Sequence, residues 1–171
     1  MMKNMMFINS WYESEHESAA MWSLYGNQGS NIAIISDAKR LHDALFNDDV
    51  EQSVFCGRVK YLDYEKEVIK LHSAAASHNA FNTFLRKRKS FEHEHEVRLM
   101  TLFSGEGATV DQNNKPNGLD IKVSLPTLVS SILVSPSASP WFVDAVKDVV
   151  AKYGLSPGLV SKSSFNDGPL Y

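Results

Sequence analysis

The sequence predicts an α+β domain: a mixed, partly antiparallel sheet with helices packed on it. Three observations carry that prediction. Strand-like and helix-like segments are interspersed without the strict alternation of a doubly wound fold. A polar stretch at 104–118, with glycines at positions 105, 107 and 118, separates two strand-like segments as a hairpin would. The continuous apolar run at 32–36 has the length and composition of a buried central strand.

Taken in order, residues 5–11 are apolar-rich and predict a strand. Ser14 or Ser18 then caps a helix running to Tyr25, whose Ala19, Ala20, Met21, Trp22 and Leu24 form a broad apolar face. A loop follows at 26–31 on composition, then the apolar strand, and Asp37 caps a second helix with Leu41, Ala44 and Leu45 on one face. Residues 54–63 alternate as a strand, with Gly57 as a bulge; residues 65–88 are helical in composition, broken near 77–79. Strands are expected at 94–103, 119–123 and 132–134, the last ended by Ser135-Pro136. The apolar positions of 141–153 repeat with a period near 3.6, and Gly154 stands where a helix would stop. A last short strand at 159–161 precedes a loose tail, and residues 1–171 read as a single domain, with neither repeat nor linker.

Composition narrows the class of function. With 43% hydrophobic and 22% charged residues the chain is ordinary for a globular protein. A net charge of −3 gives no global attraction to phosphate backbones or anionic membranes, so a nucleic-acid partner, which is not excluded, needs a local basic patch. One cysteine, Cys56, precludes an internal disulfide and reads as a small buried apolar residue. No run approaches the roughly 20 apolar residues of a membrane span, and no cleavable leader is visible. A cytoplasmic protein without membrane contact is expected.

Three groups of residues could carry chemistry. On a strand that begins at Glu94, alternation places Glu94, Glu96 and Arg98 on one face and His95, Val97 and Leu99 on the other. Two carboxylates beside a guanidinium suit tuned acid–base or electrostatic catalysis, and suit equally an exposed face laced with an ion pair. His93 and His95 lack further ligands at metal-binding spacing, so no metal is expected. Trp11, Glu17, Ser18, Met21, Trp22 and Tyr25 read as core packing or as a platform stacking a planar ligand. The run Arg86-Lys87-Arg88-Lys89 suits a solvated helix end or a phosphate contact, with Arg88 as the contributing cation. There is no phosphate-loop, dinucleotide-binding or nucleophile-elbow motif.

Three segments, taken together, resemble a bacterial family, domain-of-unknown-function family 2971. The first comprises Ser10-Trp11, the stretch from Glu17 to Tyr25 and Ile32-Ala33-Ile34. The second runs from Lys87 to Glu94 and on through Glu96-Val97-Arg98; the third joins Val134-Ser135-Pro136 and Ala138 to Pro140-Trp141-Phe142 and Tyr153-Gly154-Leu155. Asn31 stands where family members carry Gly, and the usual N-terminal segment of the family is absent. The family's element order looks similar to that of ADP-ribosyltransferases. That likeness implies a nucleotide-handling, NAD-consuming enzyme of bacterial or phage conflict systems, with NAD as substrate and no prosthetic group. It would make Glu96 or Glu94 the catalytic carboxylate, Trp22 or Tyr25 the stacking group, and Ser10 and Arg98 positioning groups. The alternatives are a non-catalytic protein-binding module and a nucleic-acid-acting protein. A strand at 5–11 with a free edge further predicts a homodimer or a partner protein.

Overall fold

A computed structural model describes residues 6–26, 29–45, 53–66, 80–102, 108–110 and 116–165. The first strand, β1 (Met6–Tyr12), is followed by α1 (Ala19–Leu24), β2 (Ile32–Ile35), α2 (Ala38–Leu45), β3 (Val54–Arg58) and β4 (Lys60–Leu62). Then come α3 (Ala80–Phe84), β5 (Arg86–Arg88), a 3₁₀ helix (Lys89–Glu94), β6 (Glu96–Leu102), β7 (Ala108–Val110) and β8 (Pro116–Leu119). The chain ends with α4 (Leu125–Leu128), β9 (Ser131–Val134), α5 (Pro140–Lys152), a 3₁₀ turn (Pro157–Leu159) and β10 (Val160–Lys162). The architecture is mixed α+β with several small sheets, and the chain divides into two compact units.

The first unit takes Met1–Glu15 and Gln52–Ile121. At its centre β6 pairs antiparallel with β1 on one side and β3 on the other. Strand pairing here follows burial: Leu99, Met100 and Thr101 of β6 are all buried, so over these residues neither face of the central strand meets water. Met6, Val54, Val59 and Leu62 complete this core. The ladder places Ser10 and Gly57 directly opposite Arg98 and Tyr12 opposite Glu96, so one face of three strands carries Ser10, Tyr12, Glu96 and Arg98 together. Two further pairs lie in this unit, a parallel one between β4 and β5 and an antiparallel one between β7 and β8.

The second unit takes His16–Glu51 and Lys122–Tyr171. Here β9 pairs parallel with β10 and antiparallel with β2. Its core joins Val129, Ile132 and Val134 to Val146 and Val150 of α5, with Ala138, Leu155 and Val160 around them. Ser18 caps α1 by accepting from Met21 N–H, and Asp37 caps α2 by accepting from Arg40 N–H at 2.9 Å. The Arg40 guanidinium reaches the carbonyls of Thr127 at 3.0 Å and Val129 at 3.3 Å, supplying donors to the C-terminal end of α4.

Several expectations from the sequence are corrected. The run at 32–36 is not a central strand: β2 is an edge, and Ile32 and Ile34 are each nearly half exposed. Gly57 is no bulge, since it pairs in regular register with Arg98; its missing side chain makes room for Leu85, whose Cδ1 lies 2.5 Å from where a Cβ would stand. The basic run at 86–89 does not end a helix, because residues 86–88 form β5 against β4. The strand expected at 119–123 ends at Leu119, and Cys56 is exposed on β3. The expected helix at 65–88 falls mainly outside the described residues, which show helix only over Ala80–Phe84.

The helix α5 stops where periodicity predicted. Gly154 adopts φ +75° with open space around its Cα, so the position demands backbone freedom and nothing else. Gly154→Ala should therefore destabilise the protein by about 1 kcal/mol through left-handed strain alone. Equilibrium urea unfolding measures this, and an unchanged midpoint would show that the turn relaxes.

Candidate functional site

Four of the residues singled out in the sequence meet on the first unit: Ser10, Glu94, Glu96 and Arg98. Glu96 is the hub. Ser10 Oγ donates to its Oε1, Arg98 Nη2 donates to its Oε2 at 2.8 Å, and Lys87 Nζ approaches the same oxygen at 3.5 Å. Lys87 also pairs with Glu94 Oε2, so one ammonium bridges the two carboxylates. Behind them Glu96 N–H donates to Tyr61 Oη at 2.8 Å, and Arg98 Nη1 donates to the carbonyl of Phe84. Both glutamates are over nine-tenths buried, at 7% and 8% exposure, while Ser10 is exposed, so the hub touches solvent beside the serine.

The local sequence builds this arrangement in a way that strand alternation alone did not predict. Glu94 is not on the strand; it closes the 3₁₀ helix, and β6 begins at Glu96. Between them His95 turns the chain with φ 39°, a left-handed conformation uncommon outside glycine. Its backbone is held on both sides, since His95 N–H donates to Glu92 O and His95 O accepts from Glu13 N–H. The two carboxylates converge through Lys87, and the convergence of Glu96 with Arg98 is the ordinary two-residue repeat of a strand.

Lys87 is the member that sequence reasoning missed, because residues 86–89 were read as a helix end. In a strand the side chains alternate, which sends Lys87 one way and Arg86 and Arg88 the other. Arg88, the cation chosen from sequence, is exposed and lies 5.5 Å over the Tyr64 ring, apart from the hub. Tyr61 was also missed, although it sits opposite Lys87 in the β4–β5 register. Trp11 pairs across from Val97 on the opposite face of the sheet, so the structure does not bring it into the cluster.

Trp22 and Tyr25 belong to the second unit. Trp22 Nε1 donates to Glu17 Oε2 at 3.0 Å, and Ser163 Oγ donates to the same oxygen at 2.5 Å, which fixes the indole on α1. Tyr25 is largely exposed. Among the described residues no three His, Cys, Asp or Glu side chains are grouped to hold a metal, and no helix is long and apolar enough to cross a membrane.

Electrostatics set the ionisation of the hub. Burial alone would raise the Glu96 pKa, but the hydrogen bonds from Arg98 and Ser10 and the charges of Arg98 and Lys87 outweigh it, and the carboxyl ionises below its ordinary range. Burial is also the main reason that the Tyr61 phenol is pushed up, so it stays protonated at neutral pH. Two cations and two carboxylates leave the cluster neutral overall, which satisfies the requirement that buried charges be paired.

Residues 21–99 match the family described as "Protein of unknown function (DUF2971)". The match takes in Trp22, Tyr25, Lys87, Glu94, Glu96 and Arg98, and it stops short of Ser10, Trp11 and the segments from Val134 onward. No curated protein and no solved structure matches the chain, so the similarity of element order to ADP-ribosyltransferases gains no structural support.

Two outcomes follow from this geometry. Removing one partner of a buried pair leaves the other charge uncompensated, so Lys87→Ala should cost about 3–5 kcal/mol in urea unfolding. Arg88→Ala, on the exposed side of the same strand, should stay within about 0.5 kcal/mol. The second outcome concerns pH. Because folding lowers the Glu96 pKa, its contribution to stability is complete above the ordinary value of 4.5 and is lost as pH falls through the lower folded value. Wild-type stability should fall across that window more steeply than that of Glu96→Gln, and parallel pH profiles would contradict the assignment.

Proposed function

We propose that the Ser10–Glu96 pair binds the ribose of a nucleotide and that the protein transfers a glycosyl group from a nucleotide such as NAD. The observation that supports this reading best is the hydrogen-bonding state of the pair. Ser10 spends its single proton on Glu96, so its oxygen faces outward as an acceptor. An ionised carboxylate offers about four acceptor positions, and Glu96 fills three of them, with Ser10, Arg98 and Lys87. The remaining position is on Oε1, beside Ser10. Two adjacent acceptors backed by negative charge match the two donors of a vicinal diol.

The chemistry that suits such a site is cleavage of the bond between the ribose and nicotinamide. The bonding pair leaves with the nicotinamide nitrogen, positive charge develops on the ribose ring, and the oxygen of a water or an acceptor hydroxyl would bond to that carbon and release its proton to solvent. A carboxylate kept ionised by Arg98 and Lys87 would stabilise that charge through the 2′-hydroxyl, and preorganised groups of this kind are commonly worth roughly 3–4 kcal/mol. Glu96 would act as a charge, not as a proton donor, because its pKa lies low.

A second reading is favoured by the way the network ties neighbouring elements together. Arg98 reaches from Glu96 to the Phe84 carbonyl, and Lys87 ties β5 to the end of the 3₁₀ helix, as a brace in a non-catalytic binding module would. One experiment separates the two. NAD is titrated calorimetrically into wild type, Ser10→Ala and Glu96→Gln, nicotinamide release is assayed, and melting curves confirm that each variant is folded. The proposal expects binding weakened in Ser10→Ala and release reduced about 100–1,000-fold in Glu96→Gln. Absence of NAD binding at millimolar concentration, or equal release from folded Glu96→Gln, leaves the brace.

A further inference from the structure

The outer side of the β4–β5 pair carries a second feature, independent of the Glu96 cluster. Lys60, Arg86, Arg88 and Lys89 are all exposed, and the parallel register sets Lys60 beside Arg86. Arg86 and Arg88 are two residues apart on one strand, so their Cα atoms stand about 6.6 Å apart and their side chains project the same way. Among the described residues none of these four cations has an acidic partner. Asp63 is taken by Lys66 at 3.3 Å and Glu94 by Lys87, and Glu65 and Glu92 pair with none of the four.

Four unpaired cations on so short a stretch repel one another, which is unusual in a chain whose net charge is −3. Several other exposed cations are paired: Lys39 with Asp43, Arg58 with Glu13, Lys147 with Asp144. The unmatched group is flanked by one accessible ring, Tyr64 at 45% exposure, whereas Phe91 lies under the Lys87 ammonium on the other side of β5. Arg88 already lies over the Tyr64 ring, which orients a guanidinium and a π-face side by side.

We infer that this face binds single-stranded nucleic acid. Cations alone would fit any polyanion; the Tyr64 ring narrows the choice. Unstacked bases gain by lying on aromatic or guanidinium planes, and an electropositive strip tracking the backbone beside such planes is the general design of single-strand binding. A duplex hides its bases in the stack and would leave the Tyr64 ring unused.

The test uses the full chain and a labelled oligothymidylate of about 20 nucleotides, longer than a typical site of roughly 4–16. Binding followed by fluorescence anisotropy should weaken about 50-fold between about 50 and about 200 mM salt, the slope for four phosphate contacts on a single strand. The triple variant Lys60→Glu, Arg86→Glu, Arg88→Glu should abolish binding at low salt, whereas Lys147→Glu, which changes net charge elsewhere, should bind as wild type. If the triple variant does not fold, the pair Arg86→Ala and Arg88→Ala provides the same comparison. Tyr64→Ala should weaken binding of the oligonucleotide about tenfold and leave binding of heparin, a polyanion without bases, unchanged. No binding at low salt, or undiminished binding by the cation variants, overturns the inference. An equal effect of Tyr64→Ala on heparin and oligonucleotide overturns its assignment to nucleic acid.

Discussion

The interaction on which the first unit depends is the neutralisation of the Glu96 carboxylate. A charge at 8% exposure is tolerable only where hydrogen bonds and opposite charge replace the lost water. Those replacements come from β1 through Ser10, from β5 through Lys87 and from β6 itself through Arg98. Each donor must therefore arrive in register. A one-residue slip of β5 would exchange Lys87 for an outward-facing arginine and leave both glutamates without their ammonium. The absence of a Cβ on Gly57 belongs to the same constraint, since it lets Leu85 close over the row that Arg98 occupies.

How much of this was legible in the sequence depended on whether the signal was local. The Asp37 cap, the period of α5 and its stop at Gly154 are written within one or two helical turns and were legible, and Ser18 was one of two serines that could cap α1. The strand ladders are non-local, and the errors collect there. Residues 32–36 are apolar enough to look central, but whether a strand is flanked on one side or two depends on distant partners. Residues 86–88 have helical composition and become a strand only because β4 offers an edge. That single misreading hid Lys87 and promoted Arg88.

The carboxylate group itself was half legible. Glu96 and Arg98 share a face by strand period alone. Glu94 reached the same place by another route, through a 3₁₀ helix and the left-handed turn at His95, for which the sequence contains no glycine or asparagine as a signal. Ser10 and Tyr61 were beyond reach of spacing, because the pairings that bring them in span 86 and 35 residues.

That span of 86 residues between Ser10 and Glu96 has a consequence for the birth of the protein. Chains are synthesised at about 5–20 residues per second. β1 thus leaves the ribosome several seconds before the strand it must pair with exists. During that interval its backbone donors and its apolar Phe7, Ile8 and Trp11 have no native partner, and the ladder closes only at the cost of a long loop. The first strand is expected to be the last of its sheet to dock, and the interval before docking is when the nascent chain depends most on holdase chaperones.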